Sequence, residues 1–367
     1  MWTPPVYSDA RAAWTGTLAE RPDMPMRIEA AAYRGKPVYF ELVGPWTRPE
    51  RMQPYEPTAG ERVFLVIGIV LLLSILVVGA MLARRSLRLG RGDRRGAFRL
   101  AAFVFAAWTV GWLFAGHHVP TLGEFGLVAN GLEAGLFFSG FFWVLYIAME
   151  PYVRRRWPAT LVSWSRLLAG SFRDPLVGRD LLAGCLWGAF SIALERLGWF
   201  VPAWLGYPPP RPLSASDWLF PESARSTIAF ISNEMIFGAL LFPLAALFLL
   251  FLFRALLRKE WAASLAWVLF FPLFFAVGSE SFVLKLGEVL ILIVVTVFLL
   301  RRLGLLWFVV ALGFGGLLSN FPLRTQGSAW YSGISLAGIL LMAALAFYGF
   351  YTSLGGRPVF GGAAFEE

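Results

Sequence analysis

Nine apolar stretches, each with arginine or lysine crowded at one end, constrain this chain more than any other feature. They run over roughly 63–83, 98–116, 126–149, 181–201, 228–253, 262–278, 283–300, 303–319 and 330–351. Most approach the roughly 20 residues that an α-helix needs to cross a hydrocarbon core. Inside a bilayer only helices and closed barrels satisfy their own backbone groups. The chain of 367 residues is 58% hydrophobic with a mean hydropathy of +0.65, more apolar than a soluble core requires. The pattern predicts an all-α polytopic membrane protein, a bundle of about nine transmembrane helices.

Charge sets the expected orientation. The net charge of +9 could suggest nucleic acid, but its placement does not. With alternating loops, 19 Lys and Arg fall on one side, beginning with Arg84, Arg85, Arg88, Arg91, Arg94, Arg95 and Arg99. The other side carries 3, namely Arg211, Arg225 and Arg324. Basic residues resist translocation and favour the anionic inner leaflet. The imbalance predicts an external N-terminus and a cytoplasmic C-terminus, with the lipid bilayer as partner and no nucleic acid.

Three regions follow. Residues 1–62 hold 8 basic and 8 acidic residues and are expected outside the membrane. There Met26–Tyr33 and Val38–Val43 suit β-strands, and Arg34-Gly35-Lys36-Pro37 reads as the turn of a small hairpin. Met1-Trp2-Thr3-Pro4-Pro5 lacks the basic and apolar regions of a signal peptide. The segment therefore reads as part of a membrane-packed cap or the remnant of a larger ectodomain. Residues 63–351 form the transmembrane domain, with a cytoplasmic amphipathic segment near 159–172. Leu161, Trp164, Leu167, Leu168 and Phe172 recur there at helical spacing, which places Trp157 and Trp164 at headgroup depth. The Pro208-Pro209-Pro210 run keeps the longest external loop extended. Residues 352–367 form a cytoplasmic tail. Spans six and seven are the pair that a single re-entrant element could replace.

Ionisable residues inside a bilayer are costly and default to functional candidates. Here they gather in the outer halves of the spans: Glu133, Glu195, Arg196, Asn233, Glu234, Lys285 and Glu288. Lys285 and Glu288, three apart, share a helical face. Such a group either lines a polar chamber for a small ligand or ion, or pairs off to hold helices together. No metal or other cofactor is implied: His117 and His118 are the only histidines, and the nearest acid is Glu124. The single cysteine, Cys185, excludes an internal disulfide. Gly313-Phe314-Gly315-Gly316 reads as close helix packing.

Ile231-Ser232-Asn233-Glu234-Met235-Ile236-Phe237-Gly238 resembles the first motif of the intramembrane prenyl-protease-like family, where two adjacent glutamates precede Phe-Arg-Gly. Here Asn233 stands for the first glutamate, the arginine is missing, and no histidine follows His118. Water activation therefore lacks its usual partners. No phosphate-binding loop or kinase catalytic loop occurs either, so no catalytic residue is assigned and the chain is expected not to be an enzyme.

Three further stretches are familiar together. They are Arg27–Phe40 leading to Gly44–Pro49, the run Glu150-Pro151-Tyr152-Val153-Arg154-Arg155-Arg156-Trp157-Pro158 followed by Phe172–Asp180, and Ser328–Tyr331 with Tyr348–Pro358. They resemble the membrane-embedded C-terminal region of large bacterial serine/threonine protein kinases. The resemblance implies a non-enzymatic sensor or anchor module in a bacterial cytoplasmic membrane, acting with a cytoplasmic kinase domain or another membrane subunit. The kinase domain itself is absent from this sequence. A small-molecule transporter or channel is the alternative, and a membrane hydrolase with a degenerate motif is the third reading.

Overall fold

The computed structural model describes residues 6–18, 21–45, 47, 59–198, 200–204, 221, 223–276, 282–323 and 331–357. The expectations for Met1–Pro5, for the Pro208–Pro210 run, for Ser328–Trp330 and for the tail beyond 357 lie outside these residues.

The N-terminal part is a three-stranded antiparallel sheet, β1 (Ala10–Leu18), β2 (Arg21–Tyr33) and β3 (Lys36–Val43), in the order β1-β2-β3. This corrects the expected two-stranded hairpin. The β2–β3 turn is also tighter than expected: Tyr33 pairs with Lys36, leaving Arg34 and Gly35 in the loop with φ of 51° and 75°. Two central residues with positive φ match the twist of a two-residue hairpin. β1 escapes the sequence pattern because its alanines and threonines alternate without a strong apolar face. Backbone pairing recruits it, with Ala12 opposite Ala30 and Trp14 opposite Ile28. Asp9 adds a second tie by accepting the Arg34 N–H at 2.7 Å, so the strand entry also holds the far turn. The added strand matters because an isolated two-stranded hairpin is marginal in water.

The remainder is helical. Its elements are α1 (Ala59–Arg88), α2 (Arg94–Ala115), α3 (Gly123–Arg156), α4 (Val162–Ala169), α5 (Pro175–Gly198), the single turn α6 (Val201–Trp204), α7 (Ala224–Asn233), a π-helical stretch (Glu234–Leu241), α8 (Phe242–Leu257), α9 (Glu260–Ala276), α10 (Phe282–Leu303), α11 (Leu305–Asn320) and α12 (Ser332–Ser353). Among the described residues seven helical runs are long and apolar enough to cross a membrane, with α7, the π-helical stretch and α8 counting as one. The chain is a helical membrane protein. α9 and α11 are apolar but shorter, at 17 and 16 residues, so the nine expected spans become seven full-length helices and two short ones. α9 and α10, the uncertain pair, are separate helices packed side by side.

Packing follows the small residues. α5 lies against α11 and α12, α2 against α3 and α7, and α1 against α3 alone to any extent. α1 is exposed along most of its length, and Ser74 turns its hydroxyl back to the Val70 carbonyl at 2.7 Å. Trp267, Trp307, Tyr146, Phe142 and Phe248 are the largest fully buried side chains. Trp267 keeps its indole N–H satisfied by donating to the Ala246 carbonyl at 2.9 Å, as a buried Trp requires.

The arginine-bearing helix ends lie together. The Asp93 N–H donates to Glu150 at 3.1 Å, Arg156 faces Glu260 at 3.7 Å, and Arg301 donates to Ser264 at 2.5 Å. At this Arg-rich end α4 differs from expectation. Trp164 is only 2% exposed and belongs to the protein core. Helical spacing of apolar residues does not distinguish a stripe facing lipid from one facing protein, and α4 turns its stripe onto α2, α5 and α11.

Candidate functional site

The seven ionisable or amide residues picked from the sequence occupy three places. Glu133 is exposed on α3. Lys285 and Glu288 form an ion pair at 3.2 Å on α10, and Glu195 of α5 lies within electrostatic reach of Glu288. Glu288 also approaches α5, since a Cβ placed on Gly198 would sit 3.1 Å from its Oε2. One residue on, Arg196 points to α11, with Nη2 at 3.4 Å from both the carbonyl and the hydroxyl of Ser319. These contacts tie helix ends together. Asn233 and Glu234 lie apart from them, where α7 passes into the π-helical stretch.

Two cavities meet at Glu234. The first, of about 670 Å³, is a groove between α2, α4, α11, α12 and the helix run from Ile231 to Leu240. Among the described residues Arg99 and Glu234 are its only charged lining; Phe103, Leu168, Val310, Phe314, Leu341 and their neighbours supply the rest. It follows α11 from Val309 to Leu317, roughly 12 Å at 1.5 Å per residue. Phe103 and Leu341, on its two flanking helices, are 47% and 36% exposed, so it opens sideways from the bundle. At the Arg-rich end two hydrogen bonds shut it. Arg99 donates to the Leu168 carbonyl at 2.6 Å, and the Tyr348 hydroxyl to the Phe172 carbonyl at 2.8 Å.

The second cavity, of about 830 Å³, occupies the far half of α2. Trp108, Trp112, His117, Ser226, Asn233 and Phe237 are among its lining, a polar and aromatic mixture. Arg225 at its rim is already engaged, donating to the Phe114 carbonyl at 2.7 Å and to that of Gly116. His118 is engaged too, with Nδ1 at 2.5 Å from Glu124 and its ring edge-on to Trp112. Among the described residues Glu234 alone lines both cavities.

The setting of Glu234 is built by two glycines. A Cβ on Gly238, one turn along, or on Gly316 of α11 would overlap its carboxylate. The other glycines of the 313–316 run do pack helices: a Cβ on Gly313 would lie 2.9 Å from that of Ala239, and Gly315 faces Gly188. Gly316 instead leaves room for an acid. Glu234 also opens the π-helical stretch, an irregularity that occurs frequently at functional sites.

Sequence reasoning passed over a second polar group. At the Arg-rich end, Glu150 is buried and accepts from Arg154 at 2.5 Å, while Asp180, fully buried, accepts from Arg179 at 2.7 Å. Nearby, the Tyr146 hydroxyl faces Trp164 Nε1 and Ser163 Oγ faces Asp180 Oδ2, buried pairs that fall short of strict hydrogen-bond geometry. Ordered water commonly serves such atoms. The signal was present, because Glu150 and Asp180 fall in the Glu150–Pro158 and Phe172–Asp180 runs, but nothing local marks either acid as buried.

Beyond the spans, Asp174 sits between α4 and α5 and accepts from Arg166 at 2.6 Å. Burial pushes its carboxyl up, but the Arg166 guanidinium and the Leu176 and Val177 N–H groups outweigh that and hold it below the ordinary value. Among the described residues no three His, Cys, Asp or Glu side chains cluster as a metal site would require. Comparison with protein-family models, with curated proteins and with solved structures gives no match.

Proposed function

We propose that the chain is a membrane sensor or anchor module whose input is a hydrophobic ligand taken sideways from the bilayer into the groove. The observation that carries this is the groove itself. It is almost wholly apolar, within the roughly 300–1,000 Å³ range of ligand cavities, and open through the side of a membrane-embedded bundle. Its floor supplies a route for the signal. α4 is fastened to α2 through Arg99 and lies beside the Phe172 carbonyl that Tyr348 of α12 holds. An occupant that parts α2 from α12 therefore loads α4, and a ligand shifts an equilibrium by its differential affinity for the two arrangements. With the Arg-rich end cytoplasmic, as the charge imbalance argues, α4 faces the compartment where a kinase domain or other subunit would receive the signal.

Two measurements test this. In proteoliposomes, a phospholipid with a photoreactive acyl chain should label residues of the groove, and Leu341→Trp at its mouth should suppress that labelling. Hydrogen exchange in 162–172 should change between lipid-loaded and Leu341→Trp protein. Labelling with no change in exchange would leave a binding protein and remove the sensor. Flipping of a fluorescent lipid across the vesicle wall would replace the sensor with a transporter. A reporter fused in 84–99 should read cytoplasmic and one in 202–227 external; the reverse would overturn the orientation.

A further inference from the structure

We infer that Glu234 is the headgroup receptor of this site and that the occupant is an amphiphile with an amine or ammonium head and an apolar chain. The inference rests on the groove reading above and adds the ligand's chemistry. Four observations converge on it. Glu234 makes no hydrogen bond or ion pair with any described residue, so none of them serves as its counter-charge. A carboxylate at this depth, roughly 15 Å from the start of α7 at 1.5 Å per residue, is costly unless it is paired. Second, Gly238 and Gly316 leave a slot that its carboxylate fills, so its position is defined rather than incidental. Third, it stands where the lining changes character, from the apolar groove to a cavity bearing Asn233, Ser226 and His117. A molecule spanning that boundary has an apolar part and a polar part, with the carboxylate at their junction.

Fourth, the competing cations among the described residues are already engaged. Arg225 caps the carbonyls at the end of α2, Lys285 is held by Glu288, and Arg99 is tied to Leu168 at the opposite end of the groove. A divalent ion held by protein needs several oxygen ligands, whereas this site offers one carboxylate with Asn233 beside it. An ammonium needs fewer partners: one charge-assisted contact with the acid and a weaker one to the Asn233 amide.

The test uses the full chain in nanodiscs and a matched pair of photoreactive probes, an alkylamine and the alcohol of equal chain length. Crosslinks are mapped to the groove. The amine should be captured about tenfold more efficiently than the alcohol, the scale expected of one close charge pair. Glu234→Gln should bring that ratio close to one while leaving capture of the alcohol intact, which also shows that the variant folds. Gly316→Ala, which evicts the carboxylate without removing it, should do the same. Leu341→Trp should depress both probes. Equal capture of amine and alcohol by the unaltered protein, with Leu341→Trp still blocking both, would overturn the amine assignment and leave the groove standing. Absence of groove crosslinks from either probe would sink both. Ethanolamine- and glycerol-headed photoreactive phospholipids, run in parallel, identify the source. Preferential capture of the ethanolamine lipid assigns a membrane lipid, and amine preference confined to the single-chain probe assigns a free amphiphile.

Discussion

Replacing Gly188 by alanine should loosen the α5–α11 contact, and the structure sets the size of the effect. α5 presents Gly184 and Gly188, four apart, to α11, the small-residue spacing that lets membrane helices approach closely. A Cβ on Gly188 would lie 2.5 Å from the Ala311 carbonyl oxygen and 3.0 Å from the Gly315 nitrogen. Both are backbone atoms of a regular helix, so neither can swing aside, and the helices must separate. Overpacking of this kind costs about 1–3 kcal/mol, and contact with two immovable groups puts it near the upper end. Alanine's helix propensity returns about 1 kcal/mol, leaving a net loss of about 2 kcal/mol. Gly140 of α3 is the control, because a Cβ there meets nothing within 4 Å. Gly140→Ala should gain up to about 1 kcal/mol from propensity alone. Unfolding in detergent by titration with a denaturing surfactant, followed by circular dichroism, reads both variants. The expected gap between them is about 3 kcal/mol. Indistinguishable midpoints would refute the claim that backbone proximity at Gly188 holds α5 to α11.

Two other perturbations follow from the same structure. Gly304, between α10 and α11, has φ of 96°, and a Cβ there would lie 2.6 Å from the Thr160 carbonyl oxygen. Gly304→Ala should cost about 2–4 kcal/mol from backbone strain and overlap together, and an unchanged thermal midpoint would contradict it. The lowered value of Asp174 makes its contribution complete above the ordinary aspartate value of 3.8 and lost as pH falls through the folded value. Hydrogen exchange at 166–176, corrected for intrinsic rates, should accelerate over that acid range, and Asp174→Asn should flatten the response; a flat profile in the unaltered protein would refute it.

The helices were legible because a bilayer leaves the backbone no other choice, so each apolar run announces its element. The additional strand was not, because Ala10–Leu18 pairs through its backbone and Asp9 rather than through an alternating face. The burial of Trp164 against protein was not legible for a related reason. Leu, Phe and Trp look alike in sequence whether they face lipid, protein or an empty groove, and α4 faces protein. The groove was invisible on the same ground, since Val310, Phe314 and Leu341 carry no mark that distinguishes a cavity wall from a core.

Charged residues at depth were legible as expensive, but the sequence could not say which of them are compensated. Spacing alone revealed the Lys285–Glu288 pair, because both residues sit on one helix. The isolation of Glu234 depends on Gly316, which belongs to another helix far along the chain and seemed in sequence to be a packing residue like Gly313. The runs that carried the kinase-region resemblance gain a physical meaning by the same comparison. Glu150 pairs with Arg154, Asp174 with Arg166 and Asp180 with Arg179, and Tyr348 of the last run reaches the Phe172 carbonyl. Of those runs, the second reaches the floor of the groove, where Phe172 is a lining residue. A polar floor and an apolar groove ask different things of a sequence. Each buried acid in the floor demands a specific partner, whereas any apolar side chain of suitable size lines the groove. Glu234 is where these demands cross, a half-buried acid in an apolar wall with no partner among the described residues.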